Sequence, residues 1–80
     1  MKAIWVENEV ANKIVSLENV KEIELYTSGS GAKSNPFCHT IRIDYFNGEN
    51  SHLCFEDDLN EAKRTLENIF KILIDKSINP

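Results

Sequence analysis

The side chains with chemical potential gather in the second half of the chain: Cys38, His39, His52 and Cys54, then the acids Glu56, Asp57, Asp58 and Glu61. Thiolate and imidazole are the usual zinc ligands, so the two cysteines and two histidines invite a metal reading. Strand alternation speaks against it. Neighbours such as Cys38 and His39 point to opposite faces, and the C-x-x-C spacing that brings two thiolates together does not occur. His52 and Cys54 share a strand face one repeat apart, the arrangement in which an imidazole assists a thiolate nucleophile. At a backbone spacing of ~6.5 to 7 Å the pair is loose, and no oxyanion hole accompanies it. Glu56, Asp57, Asp58 and Glu61 offer oxygens to a hard cation but lack the alternate acids and mid-loop glycine of a calcium loop. Helix capping accounts for them.

Ser28-Gly29-Ser30-Gly31-Ala32-Lys33-Ser34 has the composition of a phosphate loop but not its spacing. The G-x-x-x-x-G-K-[ST] pattern needs glycines where Thr27 and Ala32 stand, and Asn35-Pro36 leads to a strand instead of a helix. Segment 29–36 reads as a mobile loop, with Lys33 as its candidate contact to a partner. No catalytic residue, metal ligand or cofactor is expected, and the chain is not expected to be an enzyme.

The elements that position these residues follow from periodicity. Lys2–Val6 and Lys13–Leu17 suit two strands, and Lys21–Ser28 alternates with Ile23 and Leu25 on one face. From Phe37 the odd residues through Tyr45 form an inward face, while Leu53 and Phe55 do so in the next strand. A two-residue turn on Asn47-Gly48 would send Leu53 and Phe55 to solvent, so an odd loop is required. With Asn47-Gly48-Glu49 as that loop, Ile43 pairs with Leu53, Ile41 with Phe55, Asp44 with His52, and Arg42 with Cys54. Cys38 then lies ~13 Å from Cys54 along the outer face, at ~3.3 Å per residue, beyond the ~7 Å Cα limit of a disulfide. Both cysteines are expected to be free thiols.

A helix over 58–77 starts at Asp58, which caps it with Glu61 three residues on. Leu59, Ala62, Leu66, Ile69, Phe70 and Leu73 form its inward stripe. The fold class is therefore α+β: one domain over 1–80, strand-rich over 1–56, with an antiparallel meander of four or five strands and one C-terminal amphipathic helix on a single face. Trp5 is assigned to the core. Ile72 and Ile74 fall outside the helical stripe, and Tyr26 and Phe46 lie on polar strand faces near Arg42. Tyr26, Arg42, Phe46, Ile72, Ile74 and Lys33 are thus the candidate partner-binding residues.

Eighty residues build a small core, for which self-association is a ready source of added stability, so a weak homodimer through the helix end or a sheet edge is expected. Thirteen acids against nine bases argue against direct nucleic-acid binding. No apolar run approaches the ~20 residues that span a bilayer, and no leader pattern begins the chain, so a cytoplasmic protein is expected. The favoured function is a non-catalytic protein-interaction or regulatory module of bacterial type. A second reading is a small acidic inhibitor, of phage or mobile-element kind, that masks a basic nucleic-acid-binding surface. A third is a small ligand binder or enzyme using His52 and Cys54.

Overall fold

A computed structural model of the chain describes residues 2–7 and 12–78. Its elements are β1 (Ala3–Glu7), β2 (Asn12–Ser16), β3 (Val20–Ser28), β4 (Cys38–Tyr45), β5 (Asn50–Cys54) and α1 (Leu59–Ile78). All pairing is antiparallel. β1 and β2 form a two-stranded sheet, and β3, β4 and β5 form a three-stranded one in that order. α1 packs on β1, β3 and β4, which makes the fold α+β. The helix is not long and apolar enough to cross a membrane.

A two-stranded ribbon is marginal by itself in water. Here it is held by a shared core, in which Ile4, Val6, Val15 and Leu17 join Ile41, Ile43, Leu53 and Phe55 beneath Ala62 and Ile69. Side chains also bridge the two sheets. The Tyr45 hydroxyl donates to the Ser16 carbonyl at 2.7 Å, and Lys13 Nζ donates to the His52 carbonyl at 2.9 Å. β2 and β5 thus face one another, leaving β1 and β3 as the outer strands.

The β4–β5 hairpin corrects the expected register. Its odd loop is Phe46-Asn47-Gly48, one residue earlier than the sequence reading placed it: Tyr45 N donates to Glu49 O at 3.0 Å, and Gly48 N to Tyr45 O at 3.1 Å. The cause is conformational. A three-residue hairpin loop requires positive φ at its last position, and Gly48, at +89°, adopts it without a Cβ clash. Parity survives but every pair slides by two residues, so Ile41 faces Leu53, Arg42 faces His52, Ile43 faces Ser51 and Thr40 faces Cys54.

Asp58 caps α1 as its sequence position suggests, its Oδ1 accepting from Glu61 N at 3.0 Å. The buried stripe, however, runs through Ala62, Thr65 and Ile69, with Leu66, Ile72 and Leu73 half-buried. Phe70, placed in the inward stripe by its spacing, is 60% exposed, and Leu59 is exposed as well. At ~3.6 residues per turn the helix has turned by roughly 50° toward the Thr65–Ile72 side. The β1–β2 ribbon explains the turn, because Ile4 and Val6 supply apolar surface on that side which a single sheet does not have. Trp5, expected in the core, is 58% exposed: it alternates with Ile4 and Val6 and takes the opposite face of β1 beside Ile14.

Candidate functional site

With α1 lying between the outer strands, the molecule has a groove on each flank of the helix. On the β3 flank, Ile23 and the helical residues Lys63, Leu66, Glu67, Ile69, Phe70 and Leu73 line an open groove of about 440 Å³. Its floor is apolar: Ile23, Leu66 and Leu73 are half-buried against the core, and Phe70 stands at the rim. Ile74, 39% exposed, lies four residues beyond Phe70. The charges at its margin, Lys63 and Glu67, have opposite sign. Among the described residues β3 pairs with β4 alone, and its second edge lies on the side of this groove.

The β1 flank has a groove of about 500 Å³, lined by Ile4, Trp5, Val6 and Glu7 of the strand and by Glu61, Thr65, Asn68, Lys71 and Ile72 of the helix. Its helical wall is mostly polar. Lys2 Nζ donates to the Leu73 carbonyl at 2.8 Å, tying the start of β1 to the helix. The apolar Ile4, Trp5, Val6 and Ile72 thus share this groove with Glu7, Glu61, Asn68 and Lys71, giving it a mixed surface where the β3 groove is mainly apolar.

The outer face of the three-stranded sheet carries Tyr26, Arg42, Asp44, His52 and both cysteines. Arg42 Nε donates to Asp44 Oδ1 at 3.0 Å, and that bond is the main cause of its raised pKa. Tyr26 faces Thr40 and is thus two ladder positions, one same-face step, from Arg42. His52 stands opposite Arg42, where the sequence reading had placed it opposite Asp44. The other histidine, His39, is buried on the inner face, its Nδ1 2.7 Å from Thr27 Oγ1.

The register also overturns the expected separation of the cysteines. Because Cys54 faces Thr40, Cys38 lies one strand repeat away on the same face, and the two Sγ atoms are 3.2 Å apart. Both thiols are half-buried and reduced. The bond to Cys54 and partial burial raise the Cys38 thiol above its usual pKa.

Of the six candidate contact residues, the structure brings together Tyr26 and Arg42. Phe46 is 73% exposed in the β4–β5 loop, its N donating to Asn19 O at 3.0 Å. Ile72 is half-buried on the β1 flank, and Ile74 is exposed near the β3 flank. Lys33 sits exposed in a tight turn in which Ser30 N and Gly31 N both donate to Asn35 O. Phe70 and the Cys38–Cys54 pair were missed by sequence reasoning. The signal for the first was Thr65, a polar residue able to occupy the buried centre of the stripe; for the second it was Gly48 as the last loop position. Compared with protein-family models, curated proteins and solved structures, the chain matches none.

Proposed function

We propose that this chain is a non-catalytic protein-interaction module whose docking site is the apolar groove between β3 and α1. The observation that carries this reading is Phe70, a large aromatic left 60% exposed beside the half-buried Ile23, Leu66 and Leu73. An apolar centre with charged margins is the usual composition of a protein interface, and aromatic residues commonly anchor one. The bordering strand supports one kind of occupant: an extended segment of a partner protein, added along the outer edge of β3, with alternate apolar side chains directed at Leu66, Phe70 and Leu73. Lys21, Glu22 and Glu24 on β3 set a charged margin that discourages indiscriminate pairing of this edge.

Selection of peptides from a random extended library on the immobilised chain tests the reading, followed by mapping of the winners by amide chemical shifts. Selected peptides are expected to carry apolar residues at alternate positions and to perturb Ile23, Leu66 and Phe70. Phe70→Ala is expected to weaken their binding about thirtyfold, which corresponds to ~2 kcal/mol. Because the margin is of mixed charge, affinity should change little between low and moderate salt. A steep salt dependence, or a footprint on the Tyr26–Arg42 face, would overturn the assignment and favour the acidic-inhibitor reading.

A further inference from the structure

We infer that Cys38 and Cys54 form a reversible disulfide site, oxidised by a low-molecular-weight disulfide and restored by the corresponding thiol. The pair belongs to no feature used so far: it lies on the sheet face opposite α1, linking the first residue of β4 to the last of β5. The two Sγ atoms are 3.2 Å apart, so they need to approach by only about 1.2 Å to reach the ~2.05 Å length of a disulfide. Half-burial leaves both thiols reachable by a small reagent. No set of three or more His, Cys, Asp or Glu able to hold a metal occurs among the described residues, so the inference rests on the two sulfurs alone.

The exchange proceeds in two balanced steps. One cysteine thiolate attacks a sulfur of the small disulfide, forming a mixed disulfide and releasing one small thiolate. The second cysteine thiolate then attacks the protein sulfur of that mixed disulfide, forming the Cys38–Cys54 bond and releasing the other small thiolate. Two protein thiols are oxidised, one small disulfide is reduced to two thiols, and the two cysteine protons pass to the released thiolates. The raised pKa of Cys38 keeps it largely protonated at neutral pH, so exchange accelerates as pH rises toward and beyond the usual thiol range. The new bond closes the β4–β5 hairpin at its open end, beside the Phe55–Asp58 turn that leads into α1.

The test is equilibration of the whole chain with mixtures of oxidised and reduced glutathione, acid quenching, and mass measurement, in parallel with Cys38→Ser and Cys54→Ser. The expected wild-type product is a monomer lighter by two hydrogens, with both thiols lost together and the midpoint of thermal unfolding raised by roughly 10–20 °C. The single variants are expected to stop at the mixed disulfide, heavier by one small thiol less two hydrogens, because their second step is missing. Persistent mixed disulfide on the wild type, cross-linked chains as the main product, or two unreacted thiols in oxidant that modifies the single variants would each overturn the site.

Discussion

The two flanks of α1 use the same helix to different ends. On the β1 flank the chain spends its side chains on the fold: Thr65 is buried, Ile72 is half-buried, and Lys2 donates to the carbonyl of Leu73. On the β3 flank the helix offers Leu66, Phe70 and Leu73, yet the strand beneath answers with little more than Ile23. The apolar arc of the helix is wider than the strands cover, and the ribbon of β1 and β2 draws the helix toward its own side. Leu66 and Leu73 still pack partly on the core, so Phe70 is the residue of this flank least committed to folding and, under the proposed function, the one that serves a partner. Stability and binding should accordingly separate by flank, and substitutions along the helix test that separation.

The largest effect belongs to the line the flanks share. Ile69 is completely buried between Ala62 and the sheet residues of the core. Ile69→Ala should cost about 3 kcal/mol, the transfer free energy of the lost methyl groups plus the cavity they leave, measured by urea unfolding at unchanged m. A cost under ~1 kcal/mol would show that the helix is not anchored on this line, and the comparison of flanks would lose its axis.

Next comes the β1 flank. Val6 is 4% exposed and joins the ribbon to the common core, so Val6→Ala should cost about 1 to 2 kcal/mol while leaving peptide binding at the β3 groove unchanged. A near-zero cost would mean that the ribbon folds apart from the helix. Lys2→Met is milder. It deletes the part-buried bond to Leu73 O but keeps the apolar stem, and should cost about 1 kcal/mol by the same unfolding measurement.

Much of this geometry was legible in the residues. Alternation located β3, β4 and β5, Asp58 marked the start of the helix, and the parity argument kept Ile41, Ile43, Leu53 and Phe55 on one face. Parity determines a face but not a register, since a slide of two residues preserves it. Choosing between loops that end at Gly48 or at Glu49 required the positive φ at Gly48, and the distance between Cys38 and Cys54 hung on that choice. The orientation of α1 was harder to read because it depends on where the first two strands sit, and no local pattern reports that placement. Trp5 and Phe70 went astray together for this reason: each was assigned inward by size or spacing, and the buried positions went to Ile4, Val6 and Thr65 instead.

The smallest expected effect on stability is the sharpest discriminator. Phe70→Ala removes a ring that is 60% exposed in the folded chain, so only part of its surface is withdrawn from water on folding. The high helix propensity of alanine offsets some of that loss, and the net cost should be under about 0.5 kcal/mol. If unfolding of Phe70→Ala is unchanged within that margin while binding of the selected peptides falls about thirtyfold, the β3 flank is a docking surface separable from the core. If Phe70→Ala instead destabilises the chain as Val6→Ala does, the ring is held in the fold in solution, and the two flanks of α1 do the same work.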